Sequence, residues 1–201
     1  MNMARVGSIS WKVLATGVLG PGGLRVTATP DGLSRVELWT ALPGRYRRRG
    51  SRPGRPEAAV EVLDAGGPRN PLLNRAVDEL ASYFAGHPPR FETPLDLSGE
   101  RGGFQMRIWE LLRDIPRGNV WTYGEIARRA GAPRAARATG QAVGRNPLPV
   151  VLPCHRVVGH GGHLTGFSCG LPLKVQLLEH EGFRLSASSS ASRRRVLEFS
   201  A

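Results

Sequence analysis

Residues 121–158, WTYGEIARRAGAPRAARATGQAVGRNPLPVVLPCHRVV, carry the pattern that decides the fold. Thr122-Tyr123-Gly124-Glu125 is a capping-box pattern: the Thr122 hydroxyl bonds the first turn and Glu125 reaches back, so a short helix should run to Gly131. Gly131-Ala132-Pro133 breaks it. Arg134 to Gly144 is rich in small residues and reads as a second helix, ended by Asn146-Pro147. Two short helices joined by a tight turn make a helix-turn-helix. The LPVVLPCHRVV that follows, residues 148–158, reads as a buried β-like run.

Outward from this stretch, Phe104, Ile108, Leu111, Leu112 and Ile115 repeat at helical spacing until Pro116 stops the run, giving an amphipathic helix. Leu173 to His180 form a final helix, and SASSSASRRR from Ser186 onward reads as disordered. On the amino-terminal side, Ser98-Gly99-Glu100-Arg101-Gly102-Gly103 has linker character. The expected organisation is therefore a domain over 1–97, a linker over 98–103, a second domain over 104–186 and a tail over 187–201. In the first domain Leu24, Val26 and Ala28 alternate, Thr29-Pro30-Asp31-Gly32 turns, and Val36 and Leu38 alternate again, which reads as a hairpin. Asn70 caps and Pro71 opens a helix whose stripe is Leu72, Leu73, Ala76, Leu80 and Phe84, closed by Gly86. Residues 44–56, GRYRRRGSRPGRP, carry six arginines and read as a surface loop, a solvated connector or a DNA-phosphate contact. The class is α/β (α+β).

The chain has 201 residues, with 28 Lys+Arg against 16 Asp+Glu and a net charge of +12. Such an excess suits a polyanionic partner, nucleic acid before membrane, although an Arg-rich, Lys-poor chain also arises from genomic base composition. Only Lys12 and Lys174 are lysines. No apolar run approaches the ~18 residues of a membrane span, and Met1 to Trp11 lacks the apolar core of a signal peptide, so the expected location is cytosolic or nuclear. Cys154 and Cys169 are the only cysteines, too few for a disulfide framework.

The chemistry gathers around Cys154-His155-Arg156. A cysteine in an apolar run is often an inert core residue, but His155 and Arg156 stand where a buried strand wants aliphatics, and burying them requires partners. Leu173, Leu177 and Glu181 are four apart, which puts Glu181 on the inward stripe of the last helix. His155 is its natural partner. On a strand Cys154 and His155 point to opposite faces, so a water would link them, giving Cys154, water, His155 and Glu181 in series: nucleophile, base and orienter. The alternative is a Glu181 that frays into solvent.

These residues resemble the O6-alkylguanine-DNA alkyltransferases, also called methylated-DNA-protein-cysteine methyltransferases. Pro153-Cys154-His155-Arg156-Val157-Val158 looks like the family's active-site motif. The match runs from Phe104 to Gly182 through Tyr123-Gly124-Glu125-Ile126-Ala127, Ala135-Ala136-Arg137-Ala138, Asn146-Pro147 and Gly166-Phe167. The resemblance implies a ribonuclease-H-like sheet in the first domain, a winged-helix-like second domain, and single-turnover transfer of an alkyl group from guanine O6, or thymine O4, to Cys154. It further implies that Tyr123 donates to the departing base and that Asn146 orients the thiol turn. Ser168 and the backbone carbonyls of Cys154 and Val157 would read the base, with Gly166, Phe167 and Pro149 lining its pocket. Arg137 would fill the gap left by the flipped nucleotide, with the Ala135, Ala136 and Ala138 helix in the minor groove and Arg134 and Arg145 on phosphates. The implied partner is duplex DNA carrying O6-alkylguanine, met by a monomer, with cooperative assembly left open. No cofactor is expected. Some members hold zinc in the first domain; here His87 is the only Cys or His before Cys154, and no metal is expected.

The sequence departs from the family at Phe167, usually tyrosine, and at Cys169, usually small, where the added side chain is expected to narrow the alkyl pocket. Competing readings are a helix-turn-helix regulator or a lesion sensor without transfer, and a cysteine hydrolase. The last suffers because no oxyanion-hole signature is visible.

Overall fold

The computed structural model describes residues 10–15, 22–39, 61–64, 70–99, 102–188 and 190–199. The arginine-rich segment 44–56 lies outside them. The chain divides into two compact units, Met1–Leu97 and Ser98–Ala201. Among the described residues no helix is long and apolar enough to cross a membrane.

In the first unit β1 (Ser10–Ala15), β2 (Gly23–Ala28), β3 (Leu33–Trp39) and β4 (Glu61–Asp64) form an antiparallel sheet in the order β3-β2-β1-β4. The alternation read from sequence puts Leu24, Val26, Ala28 and Val36 on the buried face, whereas Leu38 is only half-buried. The turn between β2 and β3 is closed by Thr29 N–H donating to Gly32 O at 2.8 Å. Gly32 is required there, since a Cβ would stand 2.5 Å from Pro94 O. Helix α1 (Pro71–Phe84) is capped by Asn70, whose Oδ1 accepts from Leu72 N and Leu73 N while its Nδ2 donates to Thr29 O at 2.9 Å. One side chain thus both starts the helix and ties it to the hairpin. The buried face of α1 is wider than the predicted stripe. Val77 and Tyr83 join it and Leu72 stays half-exposed, because a helix lying on a sheet buries a broad arc.

In the second unit α2 (Gly103–Arg113) buries Ile108, Trp109, Leu111 and Leu112; Phe104, expected on this stripe, is exposed in the first turn. Trp109 Nε1–H donates to Ala142 O at 2.9 Å, pinning α2 to α4. Helices α3 (Tyr123–Arg129) and α4 (Ala136–Gly144) form the predicted pair of short helices. Only half of the capping box closes: Thr122 Oγ1 accepts from Glu125 N at 3.1 Å, but the Glu125 carboxylate turns to Arg129, whose guanidinium lies 3.9 Å over the Trp121 ring.

The buried run 148–158 is not a strand. Pro147, Pro149 and Pro153 deny it a ladder, Val150 adopts φ 77°, and Asn146 satisfies the freed backbone by accepting from Leu148 N at 2.9 Å and donating to Leu152 O at 2.8 Å. Cys154–Arg156 is a 3₁₀ turn, and only β6 (Val157–Val158) is extended, parallel to β5 (Trp121–Thr122). Helix α5 spans Leu171–His180. Residues 190–199 of the expected tail are likewise ordered: β8 (Val196–Phe199) pairs antiparallel with β7 (Phe183–Leu185), and the Phe199 ring meets Phe183 edge-on at 5.3 Å. Two apolar side chains with a core to land on outweigh the serine and arginine around them.

Candidate active site

The 3₁₀ turn changes how Cys154 and His155 are related. A strand would have sent them to opposite faces, whereas on the turn both side chains lie in the buried interior of the second unit. Cys154 is 2% exposed and His155 fully buried, and five more polar or charged side chains of this unit are hidden: Thr139, Asn146, Arg156, Lys174 and Glu181. Such burial persists only where the charges are paired and hydrogen-bonded. Glu181, at the C-terminal cap of α5, pairs the first set. Its Oε1 accepts from His155 Nε2 and Arg156 Nη2, and its Oε2 from Arg156 Nε, all at 2.8 Å. Arg156 Nη1 donates to Ile115 O at 2.6 Å. With Nε2 donating to the carboxylate, His155 Nδ1 is left as the bare acceptor nitrogen, and it is buried without a hydrogen-bond partner. Lys174 is tied to backbone instead, donating from Nζ to Val157 O at 2.5 Å and Thr165 O at 3.0 Å.

Electrostatics follow from this packing. Burial alone would raise the Glu181 carboxyl, but His155 and Arg156 outweigh it and hold the group far below the usual carboxylate range. Burial lowers His155 despite the carboxylate beside it, so the ring is neutral at neutral pH. Burial pushes the Cys154 thiol up to about 12, with the Asn146 hydrogen bond and the Lys174 charge opposing. Cys154 is thus held as a thiol, and its proton must leave during reaction, to a base. Lys174 is brought down to about 8 by burial. Tyr123 is raised, mainly by burial, and remains a hydroxyl donor; its OH lies 3.4 Å from Gly166 O.

These shifts set an acid limit on stability. His155 has a folded value below its ordinary 6.5, so its contribution is complete above pH 6.5 and lost as pH falls through the folded value. Glu181 behaves likewise below its ordinary 4.5. The urea midpoint is expected to hold from about pH 8 to 6.5, decline below that and steepen below about 4.5; a midpoint unchanged down to pH 4.5 would contradict the buried pair.

A cleft of about 590 Å³ opens beside this cluster, lined by Tyr123, Ala136, Arg137, Gly140, Val143, Gly144, Gly159, Thr165, Gly166, Phe167 and Ser168. Of the residues singled out from sequence it gathers Tyr123, Ala136, Arg137, Gly166, Phe167 and Ser168. Cys154, Asn146, Pro149 and Val157 are buried outside its lining, and His155 and Glu181 are buried with them. Arg134 and Ala135 line a second, shallower hollow with Ala132 and Pro133, while Ala138 and Arg145 are exposed on and just beyond α4. Cys169 is half-buried with Sγ 3.8 Å from Ser168 Oγ and is not in the cleft lining, so the expected narrowing has no support here. Sequence reasoning missed the roles of Arg156 and Lys174. A signal existed for Lys174: with Leu173, Leu177 and Leu178 it lies on the buried face of α5, a place no solvated lysine occupies.

Residues 103–183 match the family model described as 6-O-methylguanine DNA methyltransferase, DNA binding domain. The methylated-DNA–protein-cysteine methyltransferase of Mycobacterium leprae is 46% identical over 121 residues, covering 60% of this chain and 72% of that protein. That of Methanosarcina acetivorans is 42% identical over 123 residues, covering 61% and 78%. The crystal structure of the Mycobacterium tuberculosis O6-methylguanine methyltransferase superposes with a TM-score of 0.64 at 34% identity, covering 86% of this chain and 92% of that one. With that identity extending over more than two thirds of such relatives, this chain belongs to the methylated-DNA–protein-cysteine methyltransferase family.

Proposed function

We propose that this protein repairs DNA by moving the alkyl group of O6-alkylguanine onto Cys154, once per molecule. The observation that carries the reading is the orientation of His155, the residue next to Cys154 on one buried turn: Nε2 is held by Glu181, and Nδ1 is buried and bare. In the transfer the Sγ–C bond forms as the C–O6 bond breaks, and the electron pair of that bond leaves with guanine. The thiol proton passes through a water to Nδ1 while Glu181 stabilises the imidazolium that forms. The Tyr123 hydroxyl protonates the departing base and recovers its proton from the imidazolium, so guanine and a thioether are the only net products. The thioether is stable, which makes the protein a reagent consumed one for one.

A sulfur this buried cannot meet a base inside a duplex, so the nucleotide must turn out of the stack. Arg137, exposed on α4 at the cleft rim, supports a role as the prop for the vacated position. Ala135, Ala136 and Ala138 keep the outer side of α4 thin, which suits a minor groove ~6 Å wide, with Arg134 and Arg145 placed for phosphates. Asn146 supports the thiol turn, and Gly166, Phe167 and Ser168 are read as the wall that meets the base, with Pro149 and the Val157 carbonyl, buried outside the cleft lining, read as its deeper contacts. The M. tuberculosis protein has been crystallised in complex with DNA, which favours duplex DNA as the partner. The amino-terminal sheet is read as the ribonuclease-H-like domain, over 1–97, with its strand order as support. The second domain is read as winged-helix-like, the whole acting as a cytosolic or nuclear monomer.

Intact-protein mass after mixing with an O6-methylguanine duplex tests the reading. A gain of one methyl group for one hydrogen, mapped to Cys154 and saturating at one per chain, is expected; tight binding with no gain would instead mark a lesion sensor. Arg137→Ala is expected to slow single-turnover transfer from duplex by at least about tenfold and leave transfer from the free alkylated base unchanged. Equal slowing on both substrates would remove the extrusion role.

A further inference from the structure

We infer that residues 190–199 form a strap that holds the substrate-facing loop in its reactive position, so that this segment is a positioning element for alkyl transfer. The inference rests on the function proposed above. The loop is Gly159–Gly170, GHGGHLTGFSCG, and five of its twelve residues are glycine. A chain so rich in glycine has little stiffness of its own, yet Thr165 to Ser168 make a continuous part of the cleft wall. Something outside the loop must order it.

Two attachments do so. Inside, Lys174 donates to Thr165 O at 3.0 Å. Outside, the tail passes across the loop: Leu164 N–H donates to Arg194 O at 2.9 Å, and His163 bridges antiparallel to Arg195. Leu164 is 1% exposed and immediately precedes the cleft wall, and the tail both covers it and supplies the acceptor its N–H needs. Gly162, at φ +78°, lies so close under β8 that a Cβ would stand 3.1 Å from Val196 O.

The strap is itself anchored at both ends. Ser186 N–H donates to Arg195 O at 2.9 Å and Ser186 Oγ accepts from Arg195 N at 3.0 Å, while Arg194 Nη1 meets Glu179 Oε1 at 2.9 Å on the helix that carries Lys174 and leads to Glu181. At its far end the Phe199 ring packs on Phe183 and covers Gly118, where a Cβ would stand 3.0 Å from the ring. Val196 and Phe199 complete the small core of Val158, Leu164, Val175, Leu178 and Phe183. That core sits between α5 and the loop, so loosening the tail loosens one wall of the site.

The test uses the full chain with Phe199→Ala, the conservative Phe199→Leu, and Arg194→Ala as a surface variant that keeps the core intact. Single-turnover transfer at saturating O6-methylguanine duplex is expected to fall about tenfold in Phe199→Ala and about threefold in Arg194→Ala, with duplex affinity unchanged and Phe199→Leu recovering most of the rate. Amide exchange at Leu164 is expected to quicken at least about tenfold in Phe199→Ala while Ile108 keeps its protection, which separates a loosened loop from a melted fold. Either Leu164 exchange that does not change, or transfer within about twofold of wild type when that exchange quickens, overturns the strap. Should Phe199→Ala not fold, Arg194→Ala decides by the same two readouts. A wild-type chain that takes up no methyl group counts against the proposed function alone, and the strap is then judged on Leu164 exchange.

Discussion

Glu181→Gln is expected to lower the unfolding free energy by about 3–5 kcal/mol and to slow methyl transfer by about 10²- to 10⁴-fold. The stability loss comes from Arg156. Its guanidinium is 4% exposed, cannot shed its proton, and directs two N–H groups at the two carboxylate oxygens. Glutamine keeps the shape but withdraws the charge, and it offers an NH₂ where one of three donors needs an acceptor. The buried cation is then left with Ile115 O as its partner. The transfer loss comes from His155, because an amide neither fixes Nε2 as the protonated nitrogen nor stabilises the imidazolium. Urea unfolding and single-turnover rates measured together separate the two effects. A variant within about 1 kcal/mol of wild type, or one reacting at the wild-type rate, would show that the pair of Glu181 with His155 and Arg156 is not what holds the site.

Cys154→Ala is expected to abolish transfer while leaving duplex affinity as it was. The thiol is 2% exposed and contributes no surface to DNA, whereas Arg137, Arg134 and Arg145 all lie on exposed parts of the second unit. Cys169 makes the experiment sharper: it is the other cysteine, half-buried next to Ser168 at the cleft edge. A Cys154→Ala chain that still gains a methyl group would identify Cys169 as the acceptor and place the relay of His155 and Glu181 outside the chemistry. Loss of both transfer and binding would mean that the cysteine turn shapes the DNA face.

What could be read from the residues was what depends on local periodicity. The alternation of Leu24, Val26 and Ala28, the Asn70-Pro71 helix start and the spacing of Leu173, Leu177 and Glu181 each have a neighbour two to four residues away that settles the outcome, and the structure agrees. What escaped depends on distant partners. The run 148–158 has strand composition, but Pro147, Pro149, Pro153 and the Asn146 side chain replace a ladder with a turn that carries Cys154 and His155. The tail was hidden because its composition is polar while its anchors, Val196 and Phe199, land on a core built by residues 158–183. Lys174 and Arg156 carry the charge of solvated residues, and although Lys174 stands on the apolar stripe of its helix, its partners, Val157 O and Thr165 O, and the Arg156 partner, the Glu181 carboxylate, lie far off in sequence.

The central claim is that Cys154 rests as a thiol and yields its proton to a bare Nδ1 of a neutral His155. Nitrogen-15 NMR of His155 in the full-length protein between pH 6.5 and 8 measures this directly. A neutral ring protonated at Nε2 and unprotonated at Nδ1 is expected throughout that range. A ring protonated at Nδ1, or an imidazolium persisting above pH 7 beside a Cys154 thiolate, would contradict it.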